Sequence, residues 1–367
     1  MGGVRVELSD EQEFLREAVA GILARESTPA RVREWAERRD PSAADTLAVQ
    51  QGWTGIGLSE ERGGQGGGIV ELAVVAEELG RTATPWDRLL GSALALQLLG
   101  ACASDSAAAA SAAIAEGERL VALCVDGRRI PVAAPSSVLR DGRLTLTAEY
   151  VPGAVGADLL VAVADGDAVR LVMVETSAAR VTPRPLVDHT RGLADVELDR
   201  ASTRDLGTVS VSAFERMAGA AAVLVAADAL GASARLLEMT VEYVKDRRQF
   251  GVPVGSFQAV KHDAAMMLVA VEGARSAVRY GAWAVDSDTT DARTWASITK
   301  VGSCAAAPHV ADRALFLHGA IGYTWEHDLQ FCFKRTKSDE WLFGGPDAHR
   351  DRIAGGLALT GAAVTGG

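Results

Sequence analysis

Asp246-Arg247-Arg248-Gln249-Phe250-Gly251, continuing through Val252, Pro253, Val254 and Gly255 to Ser256-Phe257-Gln258, is the stretch whose reading decides the fold. On its N-terminal side apolar residues recur at helical spacing from about 211 to 246, and on its C-terminal side the same period runs from about 256 to 286. Gly251, Pro253 and Gly255 break the period between them, so a long helix ends in basic residues, turns sharply, and hands over to a second helix. Arg247 at the end of one helix and Gln258 at the start of the next can converge on one ligand. A guanidinium donates two parallel hydrogen bonds and suits a pyrophosphate. Basic residues at a helix C-terminus also simply complement the helix dipole, so this stretch alone leaves both readings open.

Working outward, two more helical stretches follow at about 291–318 and 326–341. Long helices with short joints predict an antiparallel bundle. Before residue 205 the texture is different. LVALCV from Leu120, RLTLTAEYV from Arg143, DLLVAVA from Asp158, AVRLVMV from Ala168 and ADVELD from Ala194 are short runs rich in Val and Leu. Asp126-Gly127, Asp141-Gly142 and Asp165-Gly166 punctuate them, which predicts antiparallel strands. Towards the N-terminus, Ser9-Asp10-Glu11-Gln12 fits a capping box, and helical patterns follow near 43–52, 69–80 and 86–116. The class is therefore α+β: an N-terminal helical domain (1–118), a central small antiparallel β domain (119–205) and a C-terminal helical bundle (206–367).

Composition narrows the functions. A net charge of −11 repels a phosphate backbone, so no nucleic acid is expected as partner. Cys102, Cys124, Cys304 and Cys332 form no CxxC pair, so they read as buried thiols of a reducing compartment. The N-terminus lacks a signal pattern, and the most apolar run, Met217 to Ala227, is stopped by Asp228; a cytoplasmic chain with no membrane partner is expected. The glycine run at 63–68 has no Lys-Ser/Thr after it and is expected to be a turn, not a phosphate loop.

Several motifs together resemble the acyl-CoA dehydrogenase family. RRQFG followed by SFQAVKHDAAMM resembles its R-x-x-F-G and F-Q pattern, and Leu317-His318-Gly319-Ala320-Ile321-Gly322-Tyr323-Thr324, followed by Glu326-His327, resembles its second glycine motif. Gly52-Trp53 through GLSEERGGQGGG, EELGR at 77–81, and Tyr150-Val151-Pro152-Gly153-Ala154 resemble its N-terminal and β domains. The resemblance implies an acyl-CoA dehydrogenase-like fold with a C-terminal four-helix bundle. It also implies FAD lying between subunits, α,β-desaturation of an acyl thioester, and an electron-transfer flavoprotein or similar acceptor. Cofactor contacts would fall to Arg247, Phe250, Gln258, Phe316, Gly319, Ala320, Gly322 and Gly345. Phe316 stands where the family often has Gln, and Ala320 where it often has a second Gly, so a methyl obstructs close backbone approach there.

Two departures bear on function. The family's flavin-ring loop is reduced to Asp126-Gly127-Arg128-Arg129 before Pro131, and Ala148 replaces its usual Lys. The proton α to the thioester carbonyl needs a positioned carboxylate, yet the two family base positions hold Phe343 and Ala221. Glu215, Glu340 and Asp347 are weak substitutes, and His262 and His318 read as helix-end or packing residues. The resemblance is thus to the base-lacking subunit of heterotetrameric bacterial members, with a paralogous subunit, or a second copy in a homo-oligomer, as partner. The substrate is an acyl-CoA or acyl-carrier thioester, for which lipid or steroid side chains are the expected class. A self-sufficient enzyme with a relocated base, or a non-redox acyl-binding protein on the same fold, are the alternatives.

Overall fold

The computed structural model describes residues 7–357; the outer ends of the expected first and third domains lie outside the described residues. The N-terminal part is helical: α1 (Asp10–Glu26), α2 (Pro29–Arg38), α3 (Ser42–Gln50), α4 (Ile69–Arg81), α5 (Asp87–Ala101) and α6 (Asp105–Ala115). The capping box forms as read: the Ser9 hydroxyl accepts from the Gln12 backbone N–H, and the Gln12 side chain accepts from the Ser9 N–H. The single stretch expected at 86–116 is two helices. Cys102 is extended (ψ 131°), and Ser104 caps α6 by accepting from Ala107 N–H. The glycine run folds back on itself, with Gly57 N–H donating to Gly66 O and Gly66 N–H to Leu58 O. The start of α4 is already occupied by an anion, since Asp286 Oδ1 accepts from Ile69 N–H at 3.0 Å.

Eight strands form the middle: β1 (Val121–Leu123), β2 (Leu139–Arg140), β3 (Arg143–Pro152), β4 (Asp158–Asp165), β5 (Ala168–Val174), β6 (Arg180–Pro183), β7 (Leu193–Ser202) and β8 (Arg204–Ser210). They make two four-stranded sheets, ordered β1-β4-β5-β8 and β2-β3-β7-β6. Pairing is antiparallel except for β1 against β4, which is parallel; the chain returns to β4 only after visiting the other sheet. The pleat sorts the side chains of β4 between two cores. Leu159, Val161 and Val163 meet the second sheet, while Leu160 and Ala162 join the helical core. Burial on both faces explains why this strand reads as a continuous apolar run.

The C-terminal part holds α7 (Val211–Asp246), the short hairpin β9 (Arg248–Gln249) and β10 (Val252–Pro253), then α8 (Gln258–Asp286), α9 (Ala292–His318), α10 (Leu329–Trp341) and α11 (Pro346–Gly356). Helices α7 to α10 form the bundle; α11 packs along α9. Helix α7 is apolar well beyond Asp228, and its most apolar 18-residue window is entirely buried in the protein core. It crosses α4 at a glycine contact, where a methyl on Gly80 would stand 2.1 Å from Asp228 O and one on Gly231 1.8 Å from Glu77 O. Neither helix could approach so closely with any other residue there.

Candidate functional site

The first cluster of expected site residues lies where α7 ends. Arg247 caps the helix, its N–H donating to Tyr243 O, and its carbonyl accepts from Val254 N–H at 2.7 Å, which closes the hairpin. At the tip Phe250 (φ 53°) and Gly251 (φ 82°) are both left-handed, as a two-residue hairpin turn requires. That geometry pushes the Phe250 ring outwards, 92% exposed, edge-on to Phe257 at 6.3 Å. Arg247 is exposed and, among the described residues, pairs with no carboxylate; Gln258 opens α8 with an exposed side chain.

The second glycine motif lies against the same place. Gly319 (φ 65°, ψ −145°) ends α9, and 319–323 forms a 3₁₀ turn. Tyr243 stacks on His318 at 4.6 Å, and His318 meets His327 at 4.9 Å. An open groove of about 460 Å³ is lined by Tyr243, Asp246, Arg247 and His327. Burial lowers the His318 pKa, so this packed ring stays neutral at pH 7. Gly322 is buried and a methyl there would stand 3.0 Å from His318 Cβ, so it serves packing. Ala320 is exposed, and Phe316 is 65% exposed beneath the Arg313 guanidinium at 4.6 Å. Phe250, on the hairpin that begins at Arg247, and Phe316, Ile321 and Tyr323, in and beside the second glycine motif, are exposed. Such a surface grips a ligand that has aromatic planes and an anionic centre.

The second cluster is the ring-side loop and the base positions. Phe343 is buried, 1% exposed, and left-handed (φ 57°). That backbone costs a bulky residue about 1–2 kcal/mol. Two hydrogen bonds hold it there: Phe343 N–H donates to Gly127 O at 2.6 Å, and His349 Nε2–H donates to Phe343 O at 3.1 Å. Burial pushes the His349 pKa down to about 4, so the ring is neutral. Gly127 has no room for a side chain, since a methyl would stand 2.1 Å from Tyr150 O. The shortened loop therefore lies directly on the 343–344 corner. Arg128 from this loop stacks on Tyr150 at 4.9 Å and pairs with Glu149, and Arg184 stacks on the same ring at 4.5 Å.

Ala221 is fully buried in α7. Glu215 is half-buried in the first turns of α7 and is held by Arg293 at 2.8 Å. Glu340 is half-buried on α10, and exposed Asp347 pairs with Arg350 at 2.6 Å. His262 is exposed on α8, and Gly345 precedes α11 with the Trp341 ring against its Cα. The dinucleotide-side residues thus fit a flavin nucleotide: a free guanidinium, exposed aromatics and an amide at a helix start. The ring-side residues do not, because loop 126–130, Tyr150 and two arginines pack on one another.

Sequence reading missed one feature, a buried ionic network joining all three parts of the chain. Asp228 of α7 accepts from Trp86 Nε1 at 2.7 Å, from Arg335 at 3.1 Å through both oxygens, and from Arg191. Arg191 also holds Asp87 at 2.9 Å and Asp339, while Arg335 reaches Asp188 at 3.3 Å and Thr190 Oγ1 at 2.7 Å. The available signal was Asp228 interrupting an otherwise apolar helix, since a buried charge requires a partner.

Comparison with known proteins gives consistent results. Residues 9–110 match the family profile "Acyl-CoA dehydrogenase, N-terminal domain" and residues 212–358 match "Acyl-CoA dehydrogenase, C-terminal domain". The acyl-CoA dehydrogenase IpdE2 of Mycolicibacterium smegmatis is 35% identical over 349 residues, 94% of this chain and 98% of that protein. Among solved structures, the ChsE4-ChsE5 complex of Mycobacterium tuberculosis superposes with a TM-score of 0.84 at 25% identity, covering 98% of this chain and 100% of that one. A variant of the Tcur3481-Tcur3483 steroid ACAD gives 0.84 at 26%, covering 96% and 99%. Matched in both terminal domains and along nearly its whole length, the chain belongs to the acyl-CoA dehydrogenase family of FAD-dependent oxidoreductases.

Proposed function

We propose that this chain is the non-catalytic partner subunit of a heteromeric acyl-CoA dehydrogenase, completing the FAD site of a paralogous subunit across their interface. The observation that carries this reading is the contrast between the two clusters. Arg247, Phe250 and Gln258 are exposed, and among the described residues Arg247 pairs with no carboxylate, whereas the expected base position is filled by buried Phe343 beneath a short loop. FAD, when bound, supplies the hydride acceptor for an acyl thioester. Arg247 would hold its pyrophosphate, Phe250 would cover the nucleotide, and Gln258 would donate at the start of α8. Relatives built as pairs, ChsE4-ChsE5 and Tcur3481-Tcur3483, support the arrangement. An electron-transfer flavoprotein or similar acceptor would then take the electrons from the paralogue's flavin.

Expressed alone, the chain is expected to hold little flavin and to reduce no acyl-CoA-linked acceptor. With its paralogue it is expected to form a yellow heterotetramer whose flavin is bleached anaerobically by an acyl-CoA. Glu215→Gln and Glu340→Gln complexes should bleach as the parent does. Stoichiometric flavin with turnover in the lone chain, or loss of bleaching in either folded Gln variant, would contradict the reading.

Within that complex, Arg247→Ala is expected to weaken FAD retention roughly 30- to 150-fold, the equivalent of about 2–3 kcal/mol for one charge-assisted bidentate contact. Arg248→Ala should do much less, because Arg248 lies in the hairpin strand paired with Pro253. Flavin release followed by ultrafiltration separates the two; equal losses would remove Arg247 from the site.

A further inference from the structure

A cleft of about 460 Å³ opens between the α2–α3 joint, the start of α5 and the loop between β6 and β7. Arg247, Phe250, Gln258 and Phe343 take no part in it. Trp35, Pro41, Pro85, Val155 and Leu193 give it apolar walls. Four arginines border it, and three of them have carboxylate partners. Arg88 holds Asp45 at 2.8 Å, Arg184 holds Asp195 at 2.7 Å, and Arg191 holds Asp87 at 2.9 Å.

Arg39 is the exception. It caps α2 in the left-handed conformation (φ 53°), which carries its exposed side chain over the rim. Among the described residues no carboxylate lies within 4.0 Å of its guanidinium; its polar partner is His189 Nε2 at 3.3 Å. A guanidinium only donates, so that nitrogen accepts and the imidazole is neutral. Neighbouring Asp40 is already engaged, accepting from Ser42 N–H at 3.0 Å. Behind His189, whose ring meets Trp325 edge-on at 6.0 Å, the Lys334 ammonium sits 4.1 Å over the same indole. The rim thus sets Arg39 and, behind it, Lys334 against the carboxylate of Asp40, and among the described residues the Arg39 fork is held by a neutral, replaceable acceptor.

We propose that this cleft is a ligand site of the chain itself, separate from the flavin grip, for an amphipathic carboxylate. The apolar body lies against Trp35, Pro85 and Leu193, and the carboxylate displaces His189 to take the Arg39 fork. A single planar fork matches a carboxylate, whereas a phosphate dianion calls for a second cation within reach. A cleft with apolar walls and a few placed polar groups is the usual form of a small-ligand site.

Calorimetric titration of the full chain with octanoate, octanol and coenzyme A tests this without flavin or turnover, so its outcome is independent of the partner-subunit reading. Octanoate is expected to bind more tightly than octanol. Arg39→Ala should weaken octanoate binding roughly 10- to 100-fold and leave octanol unchanged, with Arg39→Lys intermediate. The proposal is overturned if octanoate does not bind, if octanol binds as tightly, if Arg39→Ala binds octanoate like the parent, or if only coenzyme A binds in an Arg39-dependent way.

Discussion

Phe343→Glu is expected to destabilise the chain by about 4 kcal/mol and to confer no dehydrogenation. Two costs add. The aromatic ring leaves a site where it is 1% exposed, and buried Phe truncations typically cost about 3–5 kcal/mol. A carboxylate then enters a space beside His349, which is kept neutral by burial and already spends its Nε2–H on the Phe343 carbonyl. An unpaired buried carboxylate either pays desolvation, at the cost of stability, or stays protonated and accepts no proton at pH 7. No dehydrogenation is expected in either case, because loop 126–130, Tyr150 and two arginines pack on one another where a flavin ring would have to be held. Phe343→Leu conserves apolar character and should cost about 1.5 kcal/mol at most. Urea unfolding of the two variants separates charge from volume. A Glu variant within about 1 kcal/mol of the parent would mean that the position is prepared for a carboxylate, and flavin bleaching by that variant would show that only the base was missing.

Most of the architecture was legible in the sequence because period and punctuation agree. The 211–246 helix was legible because its apolar period is broken by Gly251, Pro253 and Gly255, all local signals; the structure adds the Ser210 cap at its start. The break at 102–104 was not legible: Cys102-Ala103-Ser104 contains neither Gly nor Pro, and the turn is fixed by tertiary contacts of Cys102 and Ser104 with Leu206 O. The parallel pairing of β1 with β4 was hidden for the same reason, being a choice of partner and not of local conformation. At the site, the spacing of Arg247 and Gln258 placed both at one helix joint. What spacing could not supply was the state of each side chain: that Arg247 is unpaired, that Arg128 turns in onto Tyr150, or that Glu215 is tied to Arg293. Those depend on residues tens of positions away.

Asp228→Ala is expected to cost about 3–5 kcal/mol, more than any surface ion pair of this chain could. Its carboxylate faces Arg191, Arg335 and the Trp86 N–H, and removing it leaves two fully buried guanidinia short of countercharge. Because Asp87 and Trp86 belong to the N-terminal helices, Asp188 and Arg191 to the β domain, and Asp228, Arg335 and Asp339 to the bundle, the loss should loosen all three parts together. One broad, earlier thermal transition is the expected result, and a change of under about 1 kcal/mol would refute the network's role. The same network sets a pH dependence through Asp339. Burial raises its carboxyl to about 7, against the opposing pull of Arg191 and Arg335 and reinforced by Asp228; Lys300 donates to its backbone carbonyl. The folded pKa lies above the unfolded one, so this group's contribution is fully present below about pH 4 and is lost as pH rises through 7. Stability should therefore fall by about 1 kcal/mol between pH 6 and pH 8, and Asp339→Asn, which cannot titrate, should flatten that slope. An unchanged slope in the Asn variant would assign the proton elsewhere.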